Sequence, residues 1–171
     1  LSKKQFVEWL KRYSDNILII NLSLEHFFGQ GDNLSKFVSY MINKLLDDTV
    51  GNVIKLTPGL QRRNFIYIDD VVNVFIALIN NYKRLDRSYN HFNIGTNYTI
   101  TIREFLELVK KLCSNKNTFL DFGALPYRSN EIMSPVDADI KKLSSFGWMP
   151  EVLLEDGLKR TIDYEINKKV N

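Results

Sequence analysis

Cysteine and histidine are nearly absent from this 171-residue sequence, which contains only Cys113, His26 and His91 of these two types. A single cysteine cannot form an intramolecular disulfide. This usage is typical of a reducing compartment, so we expect a cytoplasmic protein in which Cys113 is a helix-packing residue. Two histidines without a Cys/His cluster do not provide the usual zinc ligands, so no zinc site is expected.

Long apolar runs and a strong net charge are also missing. Runs such as ILII (17–20) are far shorter than the roughly 20 residues that cross a bilayer, and no secretory signal is recognisable, so no membrane association is expected. The formal net charge is +3, and the lysines are scattered, which favours a solvated surface over a nucleic-acid-binding patch. Because the sequence begins without methionine inside a predicted helix, we expect a part of a longer protein.

Glycine-rich phosphate-binding motifs are absent as well. None of the eight glycines forms G-x-G-x-x-G or G-x-x-x-x-G-K, and the single GQG at 29–31 is not a dinucleotide fingerprint. The nucleophile motif G-x-S-x-G is also missing. The adjacent pair Asp69 and Asp70 is interpreted as helix capping rather than as an acid–base pair, because neighbouring side chains at a strand–helix junction point in different directions.

Strand and helix patterns alternate along the sequence that is present. Strands are predicted at 16–25, 51–59, 63–68, 88–96 and 117–123. Helices are predicted at 1–15, 34–48, 70–82, 102–113, 140–146 and 154–169. This alternation predicts an α/β domain with a largely parallel sheet. The stretch 124–138 has no such pattern and is predicted to be irregular.

Helix starts and exposed faces can also be predicted. Asn33 and Asp69 are candidate N-caps, and Thr101-x-x-Glu104 has the spacing of a capping box. The strand at 16–25 is expected to be buried on both faces. Apolar side chains from the segments 17–22 and 75–79 are expected to form an exposed patch that favours self-association.

Two arginines stand out, one at the start of a predicted strand and one in the predicted irregular segment. Arg63 lies in LQRRNFIYIDDVV (60–72), at the entry of a strand, and Arg128 lies in LPYRSNE within the long irregular segment. Each guanidinium group can bind phosphate oxygens with two parallel hydrogen bonds. Either arginine could instead be an ordinary surface residue. From the residues alone, the prediction is an α/β domain that could bind an anion.

The order of several short motifs resembles the C-terminal part of the extended short-chain dehydrogenase/reductase family of NAD-dependent nucleotide-sugar epimerases, dehydratases and reductases. The resemblance covers essentially the whole chain. Its segments, in the family's order, are LSKKQF (1–6), LSLEHFFGQGD (22–32), LQRRNFIYIDDVV (60–72), FNIGTNYTITIREFLELV (92–109), PYRSNE (126–131), DADIKKLSSFGWMP (137–150) and LEDGLKRTIDY (154–164). The wording LEHFFG is closest to the branch of CDP-abequose and paratose synthases, which reduce a 4-keto-deoxysugar.

The resemblance implies roles for individual residues. Lys3 is similar to the lysine of the family's Tyr-x-x-x-Lys motif, which contacts the ribose of NAD or NADP and lowers the pKa of the tyrosine. Arg63 and Arg128 match the arginines that hold the diphosphate of a nucleotide-diphosphate sugar. His26 matches a substrate-binding asparagine, or it merely completes a loop. Leu56 is the expected apolar contact of the nucleotide base.

The same resemblance implies an architecture. The fold class is α/β, with the last strands and helices of a Rossmann-like parallel sheet (1–28 and 60–95) and a small C-terminal substrate-binding lobe (29–59 and 96–171). Most of the cofactor site would lie outside this chain, which alone would be inactive.

The implied full-length protein is a homodimeric enzyme of O-antigen or surface-polysaccharide sugar synthesis. The alternative is a non-catalytic module that binds a sugar nucleotide or another protein. Departures from the motifs occur at Ser23, Gln30 and the pair Asn130-Glu131.

Overall fold

The computed structural model describes residues 2–86, 88–134 and 139–170. The helices are α1 (Ser2–Lys11), α2 (Phe37–Leu45), α3 (Ile68–Asn80), α4 (Ile102–Leu112), α5 (Lys141–Ser144) and α6 (Leu154–Val170). The strands are β1 (Ile19–Leu24), β2 (His26–Phe28), β3 (Val53–Leu56), β4 (Arg62–Arg63), β5 (Phe65–Tyr67), β6 (Tyr89–Ile94), β7 (Ile100–Thr101) and β8 (Phe119–Phe122). Residues 135–138, where the predicted irregular segment ends and the motif at 137–150 begins, lie outside the described residues.

The strands pair in four two-stranded ladders, of which three are parallel. The parallel pairs are β1·β6, β2·β5 and β3·β8, and the antiparallel pair is β4·β7. Helices connect the parallel partners, as parallel pairing requires. The predicted α/β class is therefore confirmed.

The short ladder β2·β5 separates two hydrophobic cores. All three residues of β5 are buried, and successive side chains of a strand point to opposite faces. Phe65 and Tyr67 therefore pack in the first core, and Ile66 packs in the second. Strand β2 of this ladder begins at His26, and strand β5 begins shortly after Arg63. The packing of the two cores therefore fixes the backbone that carries both side chains.

The first core is built mainly by α2, α4 and α6. Its buried residues are Phe28, Val38, Met41, Ile42, Leu45, Phe65, Tyr67, Ile100, Phe105, Leu106, Val109, Leu120, Leu158 and Ile162. The rings of Phe65 and Phe105 stack with centroids 4.1 Å apart. The capping box predicted for α4 is confirmed: Thr101 Oγ1 accepts from the Glu104 N–H, and the Glu104 carboxylate accepts from the Thr101 N–H.

The second core lies between α3, α5 and β6. Its buried residues are Ile66, Val71, Val74, Leu78, Leu85, Phe92, Ile94, Ile140, Leu143 and Trp148. The opposite faces remain uncovered, since Phe75, Ile76 and Ile79 on α3 are exposed, as are Ile17 and Leu18 before β1. The predicted exposure of apolar side chains from 17–22 and 75–79 is confirmed only in part, because Ile19 and Leu78 are buried.

Asp69 and Asp70 differ from the capping prediction. The N-cap of α3 is Tyr67, and it makes no side-chain capping bond. Asp70 is buried, and its carboxylate accepts from the N–H groups of Glu151 and Val152 at 3.0 Å each. The prediction was wrong because the carboxylate satisfies donors of a distant segment, so Asp70 ties α3 to the chain that leads into α6.

Two other local predictions were wrong. Asn33 does not cap α2, which begins at Phe37; its Oδ1 accepts from the Ser35 N–H at 2.8 Å and closes a turn instead. Of the residues of β1, only Ile19 is buried, because β6 is the one strand that pairs with β1 in the described part of the chain. No helix among the described residues combines the length and apolar character that a bilayer span requires.

Candidate functional site

A cavity of about 750 Å³ brings together three of the five residues that the sequence singled out. Its lining residues are Glu25, His26, Arg63, Arg128, Ser129, Asn130, Glu131, Ile132 and Ser134. We call it the arginine cavity. Arg63 and Arg128 are far apart in sequence, so their presence on one cavity is a product of the fold. Two arginines that line one cavity provide the groups that a diphosphate requires.

The backbone of the arginine cavity is fixed where β1 passes into β2. The N–H of Glu25 donates to the carbonyl of Ile94 at 3.0 Å, and the N–H of His26 donates to the carbonyl of Asn64 at 3.2 Å. Glu25 therefore lies at the carboxyl end of β1, next to the parallel strand β6. Ligands of parallel α/β sheets bind at this end of the strands.

Asn64 is a positioning residue that sequence reasoning missed. It is buried between β4 and β5. Its Oδ1 accepts from the backbone N–H of Thr96 at 2.9 Å, and its Nδ2 donates to the Thr96 carbonyl. These bonds join the strand that carries Arg63 to the loop after β6. An asparagine directly before the apolar strand segment 65–67 was the signal available in the sequence.

Arg63 is held by three hydrogen bonds. Nη1 donates to the carbonyls of Arg62 and Ile132 at 2.7 Å each, and Nη2 donates to Glu131. The side chains of Arg63 and Glu131 are only 16% and 17% exposed. A guanidinium group has five N–H donors, so two donors remain for a ligand. The charge of Arg63 is already compensated by Glu131.

Arg128 lies in the irregular segment that lines the cavity together with Arg63. Its side chain is exposed, and among the described residues none hydrogen-bonds its guanidinium group. The segment that carries Arg128 is nevertheless attached to the strand side. The N–H of Arg62 donates to the Met133 carbonyl at 2.7 Å, and the Leu60 N–H donates to the Tyr127 hydroxyl at 2.9 Å.

The ionisable groups at the floor of the cavity respond to burial and to Arg63. Burial lowers the pKa of His26, and the nearby charge of Arg63 lowers this pKa further. Burial raises the pKa of Glu25, an effect that Arg63 partly opposes. The Nδ1 of His26 lies 3.9 Å from the Glu25 carboxylate. Both side chains therefore favour their neutral forms more than exposed counterparts would.

Lys3 and Leu56 do not line the arginine cavity. Lys3 is exposed on α1, a helix with no buried residue. Leu56 is partly buried against the first core, and its carbonyl accepts from the N–H groups of Gly123 and Leu125 at 3.0 Å each. The roles assigned to these two residues by the resemblance remain predictions.

The described residues do not form a complete site for NAD. A Cβ atom at Gly29 would lie 2.3 Å from Ile68 Cγ2, so this glycine of GQG serves close packing rather than an approach to phosphate. Lys3 is then the only candidate cofactor contact among the described residues that the sequence offers. The described residues therefore do not define a reaction step at the cofactor. They also contain no cluster of three metal-binding side chains.

Comparison with known sequences identifies relatives of about twice this length. The family model of the NAD dependent epimerase/dehydratase family matches residues 1–95. CDP-abequose synthase of Salmonella typhimurium is 32% identical over 165 residues, which are 95% of this chain and 54% of the relative. The chain thus spans about half the length of the relatives that it matches.

Solved structures of nucleotide-sugar enzymes share the fold. UDP-N-acetylglucosamine 4-epimerase from Methanobrevibacter ruminantium, in complex with UDP-N-acetylmuramic acid, superimposes with a TM-score of 0.80 at 19% identity, covering 97% of this chain and 52% of that one. UDP-glucose 4-epimerase from Thermus thermophilus, in complex with NAD, gives a TM-score of 0.77 at 20% identity over 95% of this chain and 52% of that one. These neighbours are Rossmann-fold enzymes of an NAD-dependent family. Together with the match to more than half of the sequence, they confirm the resemblance: the chain belongs to the NAD dependent epimerase/dehydratase family.

Proposed function

We propose that this chain is the C-terminal, substrate-binding part of an NAD(P)-dependent nucleotide-sugar epimerase, dehydratase or reductase. The substrate is a nucleoside-diphosphate sugar or deoxysugar, and the pathway makes sugars of O-antigen or another surface polysaccharide. The relatives named CDP-abequose synthase and GDP-L-colitose synthase support this substrate class. The enzyme works in the cytoplasm as a homodimer.

The observation that carries the proposal is the arginine cavity. Arg63 offers its two remaining N–H donors from the strand side, and Arg128 offers from the irregular segment a guanidinium group that no described residue hydrogen-bonds. A diphosphate between them receives charge-assisted hydrogen bonds from both walls. His26, at the floor of the cavity, donates or accepts one hydrogen bond to the substrate through a ring nitrogen.

The remaining predicted roles belong to the complete protein. Lys3 contacts the nicotinamide ribose and favours the phenolate form of a tyrosine upstream, which moves a proton during the reaction. Leu56 packs against the nucleotide base. NAD(P), when bound, supplies hydride transfer. Because most of its site lies outside this chain, we expect no turnover by the chain alone.

The proposed division of the chain assigns 1–28 and 60–95 to the cofactor-binding domain and 29–59 and 96–171 to the substrate lobe. The packing of α2, α4 and α6 in the first core is an argument for the proposed substrate lobe. The segment 140–148 packs instead with α3 and β6 in the second core, where it connects the two units.

Calorimetric titration tests the proposed diphosphate site. CDP-, UDP- and dTDP-sugars are titrated into the wild-type chain, into Arg128→Ala and into the control Arg12→Ala, an exposed arginine outside the cavity. We expect Arg128→Ala to weaken binding by about 10- to 100-fold, since each charged hydrogen bond contributes about 1.5–3 kcal/mol. Arg12→Ala should bind like the wild type. Equal affinities for all three proteins would contradict the proposal.

A further inference from the structure

Glu25 lies between two cavities, and the sequence analysis assigned it no role. It lines the arginine cavity and also a smaller cavity of about 260 Å³. The lining residues of this small cavity are Glu25, His26, Phe27, Asp32, Lys36, Phe37, Val38 and Phe65. The Glu25 side chain is 28% exposed, so it is largely enclosed but still accessible from the cavities.

Glu25 differs from the other two acidic side chains of these cavities. Glu131 is paired with Arg63, and Asp32 is paired with Lys36 at 2.9 Å. Within the described residues no lysine or arginine lies within ion-pair distance of Glu25, and the Nδ1 of His26 lies 3.9 Å from its carboxylate, beyond hydrogen-bond distance. Of these three carboxylates, Glu25 is therefore the one that has no strong donor among the described residues.

An enclosed carboxylate without a partner is unfavourable unless a ligand supplies the donor. Burial already raises the pKa of Glu25, which reflects the missing hydration of its charged form. Carboxylates accept hydrogen bonds and repel phosphate, so the donor must come from an uncharged part of the ligand. Hydroxyl groups are the donors that a nucleotide sugar carries next to its diphosphate.

We propose that Glu25 accepts hydrogen bonds from hydroxyl groups of the ligand whose diphosphate lies between Arg63 and Arg128, and that it determines specificity for a hydroxylated skeleton. This inference rests on the proposed function. The rings of Phe27 and Phe37, 37% and 39% exposed, provide an apolar wall of the small cavity for the C–H face of such a skeleton.

The hydroxyl groups can belong to the ribose or to the sugar, and three ligands separate these sources. Inorganic pyrophosphate has neither, a nucleoside diphosphate has the ribose, and a nucleoside-diphosphate hexose has both. Each is titrated calorimetrically into wild type, Glu25→Ala, Glu25→Gln and the control Glu107→Ala, an exposed glutamate of α4. Circular dichroism checks that each variant is folded, and Glu25→Gln keeps the side-chain shape if the alanine variant is unstable.

We expect Glu25→Ala to reduce the preference for the hexose ligand over pyrophosphate by about tenfold or more, and Glu25→Gln to reduce it by about threefold, because the amide oxygen still accepts but without charge. If Glu25→Ala weakens binding of the nucleoside diphosphate more than binding of pyrophosphate, the contact is to the ribose. If Glu25→Ala weakens binding of the hexose ligand alone, the contact is to the sugar. Either result supports the proposal.

Two results would overturn the proposal. If Glu25→Ala shifts the affinity for all three ligands by the same factor, Glu25 acts only as a repulsive charge near the diphosphate. If no variant changes any affinity, Glu25 does not meet the ligand. A wild-type chain that binds none of the three ligands is a different result, because it removes the diphosphate site itself.

Discussion

Arg63 and Arg128 face the same cavity from two very different environments. Arg63 stands on β4, is mostly buried and has three hydrogen-bond partners, one of them the oppositely charged Glu131. Arg128 stands on the irregular segment after β8, is exposed and has no hydrogen-bond partner among the described residues. The same residue type therefore has two physical roles. Arg63 is preorganised but partly neutralised, whereas Arg128 keeps its full charge and must lose conformational entropy when it binds a ligand.

The largest expected difference between the two arginines concerns stability. Arg63→Ala removes the partner of the mostly buried Glu131 and releases the Ile132 carbonyl, so we expect the free energy of unfolding to fall by about 3 kcal/mol. Arg128→Ala removes no side-chain hydrogen bond or ion pair within the described residues, and we expect a change within about 0.5 kcal/mol. Urea unfolding followed by circular dichroism measures both values.

A double variant shows whether the lost stability comes from the ion pair. If the unpaired Glu131 causes most of the loss, Arg63→Ala combined with Glu131→Ala should be more stable than Arg63→Ala alone. If Arg63→Ala and Arg128→Ala lower the free energy of unfolding equally, the two arginines do not differ in their contribution to stability.

Removing the charge of Glu131 should make the two arginines more alike. Glu131→Gln keeps an acceptor for Arg63 Nη2 but leaves the guanidinium charge uncompensated. We expect the affinity for a nucleoside-diphosphate sugar to rise by about three- to tenfold at low salt, and the gain to shrink as salt screens the charges. Titration at two salt concentrations measures this gain. An unchanged or weaker affinity would indicate that Glu131 itself contacts the ligand.

The sequence predicted that Arg63 and Arg128 belong to one site, but it did not predict the difference between their environments. The motifs around Arg63 and Arg128 indicated a diphosphate site, and the cavity joins both residues. In contrast, Asn130-Glu131 was visible only as a departure from a motif. The pairing of Glu131 with Arg63 depends on where an irregular segment folds back on β4, and irregular segments have no periodicity from which a contact can be predicted.

The same distinction applies to the fold. Thr101 and Glu104 were correctly predicted as a capping box because both partners lie within one turn of the chain. Asp70 was misinterpreted because its donors belong to residues 151 and 152. The inference about Glu25 also depends on the assembled site: among the described residues no lysine or arginine lies within ion-pair distance of its carboxylate. Local signals could be read from the sequence, and signals that depend on tertiary contacts could not.

The smallest expected effect concerns the titration of His26. Burial and the charge of Arg63 both lower the pKa of His26, so Arg63→Ala should raise it towards the ordinary value of 6.5, while Arg128→Ala should leave it unchanged. The chain has two histidines, and a His91→Gln background leaves one signal to follow by NMR between pH 4 and 8 (the range is roughly that in which histidine titrates).

The sign of the linked stability change follows from the direction of this pKa shift. Because the folded-state pKa of His26 lies below its unfolded value, its contribution to stability is present above pH 6.5 and is lost as the pH falls through the folded pKa. Arg63→Ala should therefore lose less stability than Arg128→Ala over this acidic interval. If the pKa of His26 shifts equally in both variants, the two guanidinium groups act alike on this histidine. The contrast between a fixed and a free arginine would then be limited to their hydrogen bonds.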